Sequence, residues 1–222
     1  MNIRQLKKEI FECLSAPDLQ ERLAYLGAFP PKKAVNPLFS FLYHTEPMIK
    51  WHAVSTMGHV VAGLADNDLE SARIIMRRMI WNLNDESGGI GWGSPESMGE
   101  SMACHKLIAG EYHRILVSYI RPDGNFLEHP ELQKGLLWGL ARLASVRSEL
   151  VKDAGPFLLP FFESEHGEHR GLAALVAGLI QEPSTLHALK HLSGDKTEIP
   201  LYWEMQFGRM PVEKLAENAL KR

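Results

Sequence analysis

The sequence predicts an all-α fold in which four to five helix pairs stack as an α-solenoid (superhelix). Apolar residues recur three and four positions apart, prolines stand near the start of apolar runs, and glycines return inside helical segments at intervals of about 40 residues. Strand signals are weak, because β-branched residues rarely alternate with polar ones and no Asn-Gly or Asp-Gly pair separates two alternating runs. We therefore expect no sheet beyond isolated bridges.

Apolar spacing and proline positions place the helices along the chain. Ile75, Met79 and Leu83 show the spacing in one segment. Proline suits a first helical turn, because the N–H groups of that turn have no intrahelical partner. The predicted helices lie near residues 2–14, 18–27, 37–43, 47–64, 68–83, 95–108, 111–120, 130–146, 149–163, 168–181, 184–192 and 211–221. No stretch rich in Pro, Gly or Ser divides them, so we expect residues 1–222 to form a single domain.

Internal repeats support the solenoid. Four glycines lie inside apolar helical segments at intervals of 41, 40 and 39 residues: Gly58, Gly99, Gly139 and Gly178. The windows 51–58 and 92–99 share Trp, Met and Gly at matching positions. A glycine inside a helix costs about 1 kcal/mol relative to alanine. Its return at one register predicts that a neighbouring helix approaches closely at each of these positions.

A two-helix repeat of this length resembles the HEAT-repeat family, including its short bacterial HEAT-like form. The matching segments are 37–63, 69–109, 111–146 and 149–180. The stretch 84–93, NDESGGIGWG, also resembles one carried by uncharacterised bacterial HEAT-like proteins. The resemblance implies a solenoid whose second helices line a concave groove, and it implies no activity.

Composition restricts the classes of function. Of the 222 residues, 45% are hydrophobic and 23% are charged, which is typical of a globular protein. The formal net charge is −3, and acidic and basic residues are mixed along the second helices, which argues against a nucleic-acid partner. Charges interrupt the N-terminus where a signal peptide needs an apolar core, and no apolar run reaches the roughly 20 residues of a membrane span. We expect a soluble, cytoplasmic protein without a membrane partner.

The most unusual segment is the glycine-rich acidic loop, residues 84–95, which leads into a helix with Ser94 as its predicted N-cap and Pro95 at its first position. Glycines allow a backbone to approach a ligand closely, but the loop has no Lys or Arg to hold a phosphate. Its carboxylates favour a cation, a basic segment or a polar neutral ligand, and Trp92 offers a flat anchor. The predicted binding residues are Asp85, Glu86, Gly88, Gly89, Gly91, Trp92, Glu96 and Glu100. The alternative is a structural connection whose acids solvate the surface or cap the helix.

The titratable residues supply no recognisable catalytic or metal-binding motif. Among ten histidines, His187 and His191 are four positions apart, but no third ligand stands near them in sequence. Cys104 and His105 are adjacent and would point in different directions on a helix, so they do not form an activated nucleophile. We expect no metal, no cofactor and no catalytic residue.

Two functions therefore stay open. The first is a non-enzymatic protein-binding or scaffold protein that recognises a basic or polar segment of another protein through the concave groove and the glycine-rich loop. The alternative is an enzyme or cofactor-handling protein with a pocket at the same loop, by analogy with lyases built from HEAT-like repeats. An open, shallow groove favours the first function. A closed pocket that holds several of Trp51, Trp92, Asp85, Glu86 and Glu96 favours the second.

Overall fold

The computed structural model describes residues 2–84 and 91–222, and this part of the chain is an all-α solenoid with one added hairpin. Its α-helices are α1 (Ile3–Leu14), α2 (Leu19–Gly27), α3 (Pro31–Phe41), α4 (Pro47–Asn67), α5 (Leu69–Leu83), α6 (Ser94–Cys104), α7 (Lys106–Ser118), α8 (Pro130–Arg147), α9 (Leu159–Phe162), α10 (Gly167–Ile180), α11 (Leu186–His191) and α12 (Val212–Leu220). Short 3-10 segments lie at Ser148–Leu150, Lys152–Leu158, Pro183–Thr185 and Leu192–Gly194. None of the helices described is both long and apolar enough to cross a bilayer.

Within the described residues, five helix pairs stack in succession, which agrees with the predicted four to five. The pairs are α3–α4, α5–α6, α7–α8, α9–α10 with the 3-10 turns that precede α9, and α11–α12. The second helix of each pair packs on the second helix of the next pair, and together these helices form an inner layer: α4, α6, α8, α10 and α12. Helices α1 and α2 cover the N-terminal end of the stack. One cluster of buried apolar side chains extends from Leu6 to Ala216.

The repeat glycines lie where successive inner helices touch. A Cβ at Gly99 would overlap the backbone of Gly139 on α8, and a Cβ at Gly139 would lie 2.5 Å from the carbonyl oxygen of Pro95 on α6. A Cβ at Gly58 would overlap Glu100 on α6, and a Cβ at Gly178 would lie 2.7 Å from Cα of Ala219 on α12. Because only glycine allows this approach, the predicted register is confirmed at all four positions.

The predicted absence of a sheet is wrong. Two strands, β1 (Glu198–Trp203) and β2 (Gln206–Pro211), form an antiparallel hairpin between α11 and α12. The turn residues Glu204 and Met205 have φ values of 51° and 61°, the left-handed conformation that a two-residue type I′ turn requires. Asn-Gly is the usual sequence for such a turn, and Glu-Met carries no hairpin signal.

Four predicted helices also differ from the structure by more than a few residues. Helix α3 begins at Pro31, and Pro37 lies inside it, so the earlier proline is the one in the first turn. Helix α6 ends at Cys104, not at residue 108, because His105 is extended, with φ −139° and ψ 121°. Helix α7 then begins at Lys106, five residues before the predicted start at 111. The helix predicted over 149–163 is instead a series of 3-10 turns followed by the short α9, with Pro156 inside the longer turn segment.

Candidate functional site

The hairpin lies across the groove face, which we define as the surface formed by α4, α6, α8 and α10. Ile199 reaches Gly171 on α10, and the Tyr202 hydroxyl lies 2.9 Å from Oγ of Ser55 on α4. Between them, the indole N–H of Trp138 on α8 donates to the carbonyl oxygen of Tyr202 at 2.7 Å. The hairpin therefore covers the middle of this face, and Trp138 and Tyr202 separate two cavities.

Aromatic rings join the hairpin to the inner helices. Tyr202 stacks on Trp51 with centroids 5.3 Å apart and planes 20° apart, and Trp51 lies 4.7 Å from Trp138. Phe207 on β2 extends the cluster, with its centroid 4.9 Å from that of Tyr202. Burial raises the pKa of Tyr202 to about 12, so its hydroxyl stays protonated. Aromatic pairs of this kind contribute about 0.5–1.5 kcal/mol each beyond their buried area, so the hairpin is firmly attached.

The first cavity, which we call the Glu96 cavity, has a volume of about 390 Å³. Trp51, Trp138 and Tyr202 form an aromatic wall, and Lys50 and Glu96 form a charged wall. A smaller cavity of about 260 Å³ adjoins it and shares Lys50 and Glu96. A volume of this size with a mainly apolar lining and few polar groups is typical of a ligand site.

Glu96 is a buried carboxylate with one oxygen engaged and one free. Its residue is 2% exposed, and Oε1 lies 2.9 Å from Nζ of Lys50. Among the described residues, Oε2 has no hydrogen-bond partner. Gly135 on α8 makes room for this oxygen, because a Cβ there would lie 2.6 Å from it. A buried carboxylate oxygen without a donor is costly, so Oε2 is the atom at which a ligand donor would stabilise the site.

The charges around Glu96 leave an acidic excess. Lys134 on α8 lies 2.7 Å from Glu131 and 3.9 Å from Glu168 on α10. The Glu96 cavity and its neighbour thus hold three carboxylates, those of Glu96, Glu131 and Glu168, and the two ammonium groups of Lys50 and Lys134. One negative charge is in excess, which favours a cationic ligand.

The predicted binding residues are only partly brought together. Four of them fall outside the described residues: Asp85, Glu86, Gly88 and Gly89. Trp92, which is 42% exposed, and Glu96 line the smaller cavity together. Gly91 is buried beside Asn82 and Leu83 and lines neither cavity. Glu100 lies on the other side of the hairpin, so the predicted residues do not form one surface.

The predicted N-cap at Ser94 is also wrong. Ser94 is already helical and buried, and Gly93 precedes the helix with φ 76°. A Cβ at Gly93 would lie 2.7 Å from Cβ of Leu42, so both the conformation and the space require glycine. This turn packs against Leu42 just after α3 and leads into the first turn of α6, where Glu96 lines the cavity.

The second cavity, which we call the Glu100 cavity, has a volume of about 400 Å³. Glu100 is 3% exposed and forms a two-point ion pair with Arg142 on α8, with Nε–Oε2 at 2.7 Å and Nη2–Oε1 at 3.1 Å. The Cys104 thiol donates to Oε1 of Glu100 at 3.4 Å. Burial and the Glu100 charge raise the pKa of Cys104 to about 12, so this thiol is not an activated nucleophile.

Comparison with known proteins supports the fold and assigns no function. No family model matches the chain. Over 122 residues the chain is 28% identical to an uncharacterized protein of Archaeoglobus fulgidus, in a match that covers 54% of this chain and 57% of that protein. The chain thus spans a little over half the length of this curated relative.

Solved structures of repeat proteins are similar over nearly the whole chain. An engineered protein has a TM-score of 0.56 at 16% identity, covering 100% of this chain and 96% of its own. A designed armadillo repeat protein in complex with the peptide (KR)4 has a TM-score of 0.54 at 19% identity, covering 96% of this chain and 97% of its own. These likenesses support a helical-repeat solenoid, and membership of the HEAT family stays a prediction.

Proposed function

We propose that the protein binds a basic segment of another protein and that one Arg or Lys side chain of this segment enters the Glu96 cavity. The single observation that carries the proposal is Oε2 of Glu96, a buried carboxylate oxygen without a partner among the described residues. The excess negative charge around it supports a cation rather than an anion as the ligand.

The chemistry of the cavity fits a guanidinium group. Its N–H groups can donate to Oε2 of Glu96 while Lys50 keeps its 2.9 Å contact with Oε1. Nζ of Lys50 already lies 5.3 Å from the Trp51 centroid, so this ring accepts a cation over its face. Arginine combines planar stacking with directed donors, so we expect arginine to bind more tightly than lysine.

The hairpin limits what can enter. Because β1 and β2 cover the middle of the groove face, only a side chain of the partner reaches the Glu96 cavity, while its backbone passes over the rim near Tyr43 and Trp92, both of which are exposed. The designed armadillo protein in complex with (KR)4 supports the idea that a helical-repeat surface can accommodate a basic peptide. That support is an analogy of fold and not of site.

The test uses defined peptides and a matched pair of charge variants. Binding of fluorescein-labelled (Lys-Arg)4 is measured by anisotropy, with (Glu-Asp)4 as the negative probe. Glu96→Gln should weaken (Lys-Arg)4 binding roughly 10-fold or more, because a hydrogen bond to a charged group contributes about 1.5–3 kcal/mol. Glu217→Gln, which removes the same charge from the exposed face of α12, should change it less than about twofold.

A second variant links the peptide result to the cellular partner. Trp92→Ala combined with Glu96→Gln should abolish capture of the main partner from lysate while the far-UV circular dichroism spectrum is retained. Equal peptide affinity of Glu96→Gln and the wild type, or preference for the acidic peptide, would contradict the proposal. Equal losses in Glu96→Gln and Glu217→Gln would show that only net charge matters.

The volume and aromatic lining of the cavity favour a second candidate, an enzyme or cofactor-handling protein. The cavity holds Trp51 and Glu96, it adjoins Trp92, and its volume lies in the range of about 300–1,000 Å³ that is usual for small-molecule sites. Native mass spectrometry of the protein from its own source distinguishes the two. A small molecule that stays bound to the wild type and is lost from Glu96→Gln supports this candidate.

A further inference from the structure

We infer that His59, Glu100 and Cys104 form a site for a divalent transition metal, of which Zn²⁺ is the best match, beside the Glu100–Arg142 ion pair. One ligand atom from each residue lies within 4.8 Å of the other two. Imidazole nitrogen, carboxylate oxygen and thiolate sulfur are the ligands that Zn²⁺ uses in proteins. The inference is independent of the proposed peptide site, which lies on the other side of the hairpin.

The repeat packing brings these residues together. Glu100 and Cys104 are four positions apart on α6 and therefore share one face of that helix. The side chain of Glu100 packs directly on Gly58 of α4, where any larger residue would exclude it. His59 follows Gly58 in the chain, so the close approach of α4 and α6 sets its imidazole beside the other two ligands.

The distance between the sulfur and the oxygen already fits a common ion. Zn–S bonds of about 2.3 Å and Zn–O bonds of about 2.0–2.2 Å at a tetrahedral angle place the two ligand atoms about 3.5 Å apart. Sγ of Cys104 and Oε1 of Glu100 lie 3.4 Å apart. Binding releases the thiol proton to solvent, and the resulting thiolate takes the place of the S–H donor.

The hydrogen bond of His59 gives its ring the tautomer that metal-bound histidines use. Its Nδ1 lies 2.9 Å from the carbonyl oxygen of Ser55, and since a carbonyl only accepts, Nδ1 carries the proton. The lone pair of the neutral ring is then on Nε2, with the backbone carbonyl as the outer partner. His59 is exposed, so Nε2 is accessible to an ion from solvent while Nδ1 keeps its contact with the Ser55 carbonyl.

Arg142 competes with the ion for Glu100 and also positions it. The guanidinium holds Oε2 through the shorter contact of 2.7 Å and Oε1 through the longer one of 3.1 Å. The metal replaces the longer contact, because Oε1 is the oxygen nearest Cys104. Thiolate and carboxylate offset the charge of the ion, and three protein ligands leave a fourth position for water or an anion beside Arg142.

The test uses Co²⁺ as a spectroscopic probe on the untagged full chain after treatment with a chelator. One equivalent should produce a thiolate-to-cobalt charge-transfer band together with the visible bands of four-coordinate cobalt, and Zn²⁺ should displace it. Cys104→Ser should remove the charge-transfer band, and His59→Ala should weaken Co²⁺ binding roughly 10-fold or more. Cys13→Ser is the matched thiol control on α1 and should leave the spectrum unchanged.

A further control addresses the exposed pair on α11, where Nε2 of His187 and Nε2 of His191 lie 3.3 Å apart. Replacing both with alanine should not affect the thiolate band. No charge-transfer band at saturating Co²⁺, a band lost in Cys13→Ser, or binding lost with the α11 histidines would each overturn the inference and leave Glu100–Arg142 as a structural ion pair. If Cys104→Ser fails to fold, the exposed His59→Ala variant decides the question by the same titration.

Discussion

Replacing Gly99 by alanine should destabilise the protein, although alanine is the better helix former. A Cβ at this position would overlap three backbone atoms of Gly139, which cannot move away as a side chain can. Helices α6 and α8 must therefore separate, and overpacking at such a contact costs up to about 3 kcal/mol. Subtracting the gain of about 1 kcal/mol in helix propensity leaves a net loss of about 2 kcal/mol.

Two other glycines provide matched controls for the same chemical change. Gly63 lies inside α4 and Gly110 inside α7, and a Cβ at either meets no atom within 4 Å. Alanine at these positions should stabilise the protein by about 0.5–1 kcal/mol, because only the helix propensity changes. The structure thus predicts opposite signs for Gly99→Ala and for Gly63→Ala or Gly110→Ala.

Urea and thermal denaturation followed by far-UV circular dichroism measure the difference. For a chain of this length, a loss of about 2 kcal/mol lowers the melting temperature by roughly 4–8 °C. Leucine at a repeat glycine such as Gly58 or Gly178 should cost at least about 1–3 kcal/mol. A Gly99→Ala variant as stable as Gly63→Ala, or leucine variants at all four repeat glycines with unchanged melting temperatures, would refute the close-contact register.

Two further predictions concern His52 and the hairpin. Burial lowers the pKa of His52 below 6.5 in the folded protein. As the pH drops below 6.5, the unfolded chain therefore protonates its His52 before the folded protein does, and the free energy of unfolding decreases. Above pH 6.5 the contribution of His52 to stability is constant. His52→Asn, which keeps a donor for the Leu14 carbonyl, should flatten this part of the stability curve measured by urea denaturation at several pH values. Tyr202→Ala should cost about 3–5 kcal/mol and expose Trp138, with a red shift of tryptophan fluorescence and little change in far-UV circular dichroism.

The helices and their stacking were predictable because both depend on local or strictly periodic features. Each helix needs an apolar stripe at a spacing of three and four residues wherever its partner lies. Only glycine allows the backbones to approach as closely as they do at Gly99 and Gly139. The repeat register can therefore be recognised from glycines at nearly equal intervals in the sequence. Neither feature requires knowledge of which helices meet.

The hairpin and the site could not be predicted in this way. Strand β2 is mostly exposed, and β1 is held by tertiary contacts such as the Trp138 indole on the Tyr202 carbonyl, which no local pattern records. The cation that pairs with Glu100 is 42 positions away, on α8. From the sequence, Glu96 and Glu100 are predicted as binding residues of one surface with the glycine-rich loop. Their burial could not be predicted, because it arises only when α6 is enclosed between α4 and α8.

The state of the two buried acids decides which of them receives the proposed peptide side chain. Burying a carboxylate is costly even when it is paired. Apolar residues would stabilise a solenoid core at least as well, so stability alone does not explain why charged residues stand at these positions. Glu100 has donors on both oxygens and satisfies that cost within the chain. Glu96 has the Lys50 contact on one oxygen and no partner among the described residues on the other. Of the two, only Glu96 keeps a buried acceptor without a partner among the described residues, and its residue lines a cavity with aromatic walls. This difference is the physical reason to place the proposed peptide side chain there.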